Sequence, residues 1–209
     1  MNNIQIKKYN INEITNNQII QLKKVFSKAY FHEHMYKDTI KDIQESPIIF
    51  KAFFAQHKNK IIGVIFIENK PHKFIEYNKF KPIHIKHFTV LPKYRSQGIG
   101  KKLLDEAKKY VFKELNLKVI FGESNELGSL SFYGKEKALY SLETIKNYSN
   151  RNNPKENIEF FKEFITNPKF KTYRYPEGNG IPFVFCNSNK EEKFFTNKSF
   201  ISKTKLLKK

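Results

Sequence analysis

The chain has 209 residues, of which 39% are hydrophobic and 15% aromatic, enough for one folded domain with a sizeable core, and this excludes a disordered polymer. Its formal charge of +19 has two readings: a polyanionic partner such as nucleic acid, or the bias of a Lys-, Asn- and Ile-rich chain without Trp. Bias is the favoured reading, because the lysines are spread along the chain; the lone Cys186 excludes a disulfide framework, and no run nears the roughly 20 apolar residues that span a membrane.

The first residues lack the apolar core of a signal peptide, so a cytoplasmic protein is expected. Residues 4–9 alternate in part and read as a strand. Residues 16–30 read as a helix, with Ile19, Leu22, Phe26, Ala29 and Tyr30 on one face. Tyr36, Ile40 and Ile43 mark a short second helix that stops before Pro47. The connecting residues 30–36 carry His32, Glu33 and His34. Two histidines two apart do not share a helix face, so a polar loop is expected there and no metal. Residues 48–56 and 60–68 form a hairpin around 57–60, and 69–81 read as a loop. Residues 83–91 are a central strand, and 117–121 a short buried one. A helix is expected from 126 to as far as 148, with Leu130, Tyr133, Ala138, Leu142 and Ile145 at compatible spacing. Residues 149–154 break the chain, 154–166 form a further helix, and 169–175 with 181–187 form a second hairpin around 176–180. From Ser188 the chain reads as a polar, basic tail with mobile last residues.

Residues 84–111 organise the rest. An apolar strand ends at Pro92, a basic turn holds Gly98 and Gly100, and a helix begins with Ile99, Leu103, Ala107 and Val111 on one face. A glycine turn at a helix start lets backbone N–H groups approach a phosphate, and the helix dipole favours the anion. Arg95, Lys101 and Lys102 surround the turn.

The order β-α-α-β-β-β-α-β-α-(α)-β-β, with the glycine turn after the fourth strand, resembles the GNAT acetyltransferase superfamily. Residues 90–104 are similar to its acetyl-CoA signature, with Arg95, Gly98 and Gly100 in register; 54–67 resemble its central hairpin, 132–135 its Phe-Tyr-x-Lys helix start, and 180–185 its last strand. The resemblance implies a mixed α/β (α+β) fold with a mostly antiparallel sheet splayed between strands 4 and 5. It implies a single domain over 1–187, with a helical insertion at 138–168, followed by a tail at 188–209. The expected cofactor is acetyl-CoA as co-substrate. Phe88, Thr89 and Val90 would pair with its pantetheine arm, and the Val90 N–H would polarise the thioester. The turn of Ser96, Gln97, Gly98, Ile99, Gly100 and Lys101 would hold the pyrophosphate, Arg95 and Lys101 would add charge, and Asn125 would contact CoA. Tyr133 would be the general acid. Two departures stand out: Asn125 to Tyr133 is a residue longer than usual, and Lys137 and Ala138 stand where the family has Gly-Phe, so the helix is expected to continue.

The amine acceptor must lose a proton. On a strand His84 shares the face of Val90, which makes it the candidate base, with a water relay as the alternative and Glu68, Glu76 and Glu123 as fallbacks. His87 is expected on the other face, toward the helices. The function implied is N-acetyl transfer to a primary amine by direct attack in a ternary complex, in a monomer or homodimer. Two alternatives stand beside it: a degenerate GNAT fold that binds or regulates, and a nucleic-acid-binding module. The insertion is expected to pack, to wall the acceptor site or to meet a second copy.

Overall fold

The computed structural model describes residues 4–29, 33–70, 75–81, 83–124, 126–147, 153–167 and 180–208. The expected strand at 169–175, its turn through 179, His32 and Asn125 lie outside the described residues. The described chain forms two compact units, Met1–Leu117 and Lys118–Lys209.

In the first unit, β1 (Ile4–Asn10), β2 (Ile49–His57), β3 (Lys60–Glu68) and β4 (Ile83–Val90) form an antiparallel sheet in that order. The hairpin between β2 and β3 turns on Lys58 and Asn59, with φ of 48° and 62°, the left-handed pair that matches strand twist. α1 (Asn16–Ala29) buries Ile19, Leu22, Val25 and Phe26 against the sheet, and α2 (Glu33–Glu45) adds Ile40 and Ile43. They pack with Ala52, Phe54, Val64 and Phe66, the side chains of one sheet face. α2 is longer than the sequence pattern indicates: it starts at Glu33, inside the expected loop. A 3-10 segment, Ile75–Phe80, lies in the expected loop before β4. On the other sheet face lies α3 (Ile99–Lys109), which buries Ile99, Leu103, Leu104 and Ala107 and continues as a π-helical turn, Tyr110–Glu114. There Gly63 leaves room: a Cβ on it would stand 3.1 Å from Val90 and 3.2 Å from Leu103.

In the second unit, β5 (Val119–Ser124) pairs with β7 (Ile181–Cys186), β7 with β6 (Leu139–Ser141), and β6 with β8 (Phe200–Ser202), all antiparallel. α4 (Leu127–Lys135), α5 (Leu142–Lys146) and α6 (Pro154–Thr166) connect the first strands, and α7 (Asn189–Asn197) and α8 (Lys203–Lys208) flank β8. α6 has the bounds its pattern indicates.

Three expectations are corrected. The helix from 126 does not run to 148. It ends at Lys135, where Lys137 takes φ 68° and the Ala138 N–H donates to the Tyr133 carbonyl (2.9 Å) and the Lys137 N–H to Gly134 (3.3 Å). This is a Schellman closure, with a lysine in the left-handed place glycine usually takes. The stretch after it is therefore not purely helical, because it holds β6. The basic tail is folded through its last described residues, against the expected mobility: Phe195, Phe200, Ile201 and Leu206 are buried, β8 adds an edge to β6, and α8 runs to Lys208.

The third correction concerns faces. β4 is bulged: Phe66 opposes Lys86 but Val64 opposes Thr89, so His87 and Phe88 together face Ile65 alone. His87 adopts φ 48° to make this possible. The bulge inverts the alternation. His84, opposite Glu68, and Thr89, opposite Val64, share the α1 and α2 face, while the Val90 side chain lies on the α3 face. His84 therefore does not share the face of Val90. His87 does point toward the helices, as expected, but on the same face as His84, because a bulge turns two neighbours one way.

Candidate active site

The end of β4 turns the backbone groups of one residue away from its sheet partner. The Leu91 N–H donates to the Ile62 carbonyl (2.9 Å), which makes Val90 and Gly63 a pair that exchanges no ladder bonds. The Val90 N–H and carbonyl therefore point away from β3. The Arg95 side chain folds back and its Nε–H donates to the Val90 carbonyl (2.9 Å). Pro92–Tyr94 turns the chain as one 3-10 turn, with Pro92 in its first position, where its missing N–H is harmless. Gln97 donates to the Lys93 carbonyl (3.1 Å) and closes the loop over that turn.

Ser96 and Gly98 take positive φ, 62° and 77°. Gly98 is the N-cap of α3, and an added Cβ there would meet nothing within 4 Å, so the dihedral and not crowding calls for glycine. No side chain caps the helix start. The amides of Ile99 and Gly100 thus open α3 at its positive dipole end, with the exposed Lys93, Arg95 and Lys102 around them. A helix start of this kind is a cradle for an anion. The Lys101 ammonium at this helix start pairs with Asp105 (3.1 Å), and the Arg95 side chain is held on Val90.

Below the bulge, on the face of α1 and α2, lies a cluster that local spacing did not indicate. Asp42 of α2 accepts from His87 Nε2 (2.7 Å) and meets Lys86 Nζ (3.4 Å), and Lys86 also reaches Glu68 (3.9 Å). Burial pushes the Glu68 carboxyl above its ordinary range, partly offset by Lys86 and Lys70. Burial also raises Asp42, but the His87 hydrogen bond and the Lys86 charge outweigh it and hold it low. His87 is pushed down by burial against the pull of Asp42, so a neutral imidazole donates to an ionised carboxylate. Asp42 and His87 lie 45 residues apart, so only the packing of α2 on β4 brings them together.

In the second unit Tyr133 is buried on α4, stacked on Phe183 at 4.1 Å between centroids with Phe185 edge-on at 6.0 Å. Burial, and then Glu192 and Glu191, push the Cys186 thiol up to about 12, which disfavours its thiolate form. Among the described residues no group of His, Cys, Asp or Glu is arranged to hold a metal ion, and no helix is long and apolar enough to cross a membrane.

The family model described as the acetyltransferase (GNAT) family matches residues 16–137. The chain belongs to the GNAT acetyltransferase family. Solved structures agree on the GNAT fold. A GNAT-family acetyltransferase from Staphylococcus aureus Mu50 is 15% identical with a TM-score of 0.55, covering 89% of this chain and 100% of that one. A putative GNAT acetyltransferase from Desulfovibrio desulfuricans is 12% identical with a TM-score of 0.53, over 89% and 100%. The ribosomal-protein-S18-alanine N-acetyltransferase of Escherichia coli is 10% identical with a TM-score of 0.53, over 88% and 95%. No curated protein matches the sequence. Acetyl transfer from an acyl-CoA donor is the chemistry of the GNAT family.

Proposed function

We propose that this GNAT protein transfers an acetyl group from acetyl-CoA to a primary amine by direct attack in a ternary complex. The observation that carries the reading is the end of β4: a backbone amide at Val90 turned away from its own sheet partner, followed directly by an uncapped, glycine-led helix start in a basic surround. Acetyl-CoA supplies an activated acyl group on a thiol leaving group. The amides of Ile99 and Gly100 bind its diphosphate, and Arg95 is within reach of the same turn. The Val90 N–H stabilises the charge that gathers on the carbonyl oxygen during attack. A water relay takes the proton that the attacking nitrogen loses, with His84, which lies across from Glu68 and not on the face of Val90, as the second route. The carbon–sulfur bond breaks, and Tyr133 gives its hydroxyl proton to the sulfur.

Two measurements test this. Acetyl-CoA at a thousandfold excess over its dissociation constant stabilises the folded protein by about 4 kcal/mol, a rise of roughly 8–16 °C in melting temperature for a chain of this size. Gly98→Glu, which strains a left-handed position and adds an anion to the cradle, abolishes the rise. A thiol-release assay over small amines, amino acids, peptides with free N-termini and aminoacyl esters then identifies the acceptor class. Equal melting temperatures with and without acetyl-CoA would sink the proposal, and stabilisation with no turnover for any amine would leave a binding protein in its place.

A further inference from the structure

The bulge in β4 decides which residue uses the ladder. Counting from Glu68 opposite His84 and Phe66 opposite Lys86, an uninterrupted strand brings Val90 opposite Ile62. Residues 62, 64, 66 and 68 of β3 direct their backbone groups toward β4, so the Val90 N–H would then be spent on the Ile62 carbonyl. The extra residue hands that bond to Leu91 (2.9 Å) and turns the Val90 amide away. The aim of the Val90 N–H is therefore a consequence of the bulge.

A bulge built on a non-glycine residue at φ 48° carries backbone strain and persists only where its surroundings hold it. The holding group is on another element. Asp42 of α2 grips His87 at 2.7 Å and Lys86 at 3.4 Å, two neighbouring residues that only a bulge turns to one side. Phe26 of α1 and Phe66 of β3 pack in T-shaped contact with the imidazole at 6.2 and 6.3 Å between centroids.

We propose that the Asp42–His87 hydrogen bond is a clamp by which α2 fixes the bulge of β4 and so aims the Val90 amide at the thioester carbonyl. Asp42 and His87 are positioning residues; neither touches the reacting atoms. The clamp rests on the reading of Val90 given above, and its test keeps the two apart by following separate backbone amides.

In ¹⁵N-labelled protein titrated with acetyl-CoA, the amide resonances of Ile99 and Gly100 report the cradle and that of Val90 reports the thioester. The wild type shifts all three. Asp42→Ala keeps the Ile99 and Gly100 shifts, with a dissociation constant within threefold, but loses the Val90 shift, and kcat for the accepted amine falls tenfold or more. Asp42→Asn still offers His87 an acceptor oxygen and keeps the Val90 shift, which shows that the bond and not the charge matters. His87→Val, β-branched and poorly suited to positive φ, behaves as Asp42→Ala does. A Val90 shift that survives both Asp42→Ala and His87→Val, even with a lowered melting temperature, overturns the clamp and leaves a structural contact. A wild type in which Ile99 and Gly100 do not respond overturns the acetyl-CoA reading, and the clamp with it.

Discussion

The residue opposite Phe183 in β5 is Gly122, and the ring lies across it. A Cβ at this position would stand 2.3 Å from the ring, closer than any real contact. Phe183 in turn stacks on Tyr133 at 4.1 Å. A methyl group at 122 therefore pushes the ring toward the tyrosine proposed as acid, with buried Phe185 edge-on behind both. Gly122→Ala should destabilise the protein by about 1–3 kcal/mol, as overpacking in a dense core does. It should also lower kcat while leaving acetyl-CoA affinity at the cradle unchanged within threefold. Chemical denaturation and single-turnover kinetics read the two effects separately. An alanine variant as stable and as fast as the parent would show that Phe183 moves at no cost.

Element ends are where the sequence pattern and the structure part. Leu130, Tyr133, Ala138, Leu142 and Ile145 fit one helical stripe, yet they are divided among α4, the turn before β6, and α5, all of them buried. Apolar spacing over a stretch buried on every side does not distinguish a helix from a helix broken by a strand. The break is written in backbone dihedrals: Lys137 at φ 68° closes α4 where glycine is the usual choice, and a lysine there gives no warning. The bulge of β4 is hidden in the sequence for the same reason, since faces follow from spacing only where a strand alternates without a break, and it is a histidine, His87, that takes the positive φ. By contrast the β2–β3 hairpin, the glycine turn and α6 were legible, because their punctuation sits in residues with few alternatives: Asn59, Gly98 and Pro154. Lys137→Gly should relieve the left-handed penalty and stabilise the fold by about 1 kcal/mol, a rise of roughly 2–4 °C in melting temperature. An unchanged or lower melting temperature would mean that the lysine side chain contributes as much as its backbone costs.

At the scale of the molecule, charge misleads about what is folded. Residues 188–209 hold seven lysines against two glutamates, which reads as a solvated tail. One signal in them points the other way: Ser188 and Glu191 have the spacing of a capping box, and in the structure Ser188 caps α7 by accepting from the Lys190 N–H while its hydroxyl meets the Glu191 carboxylate. Behind that cap Phe195 packs edge-on against Phe121 at 5.5 Å and against Phe200 at 5.4 Å, β8 completes the edge of β6, and Lys203 Nζ donates to Ser131 Oγ of α4 (3.2 Å). Phe195, Phe200, Ile201 and Leu206 are each worth about 1.5–3 kcal/mol of apolar burial. Their loss together is of the order of the 5–15 kcal/mol that holds a whole domain folded. Truncation after Asn187 should therefore leave the second unit without a stable core: the protein should be recovered insoluble, or should melt without a cooperative transition. The same truncation of a solvated tail would leave the melting temperature where it was, so one thermal melt of the shortened chain decides whether these lysine-rich residues belong to the fold.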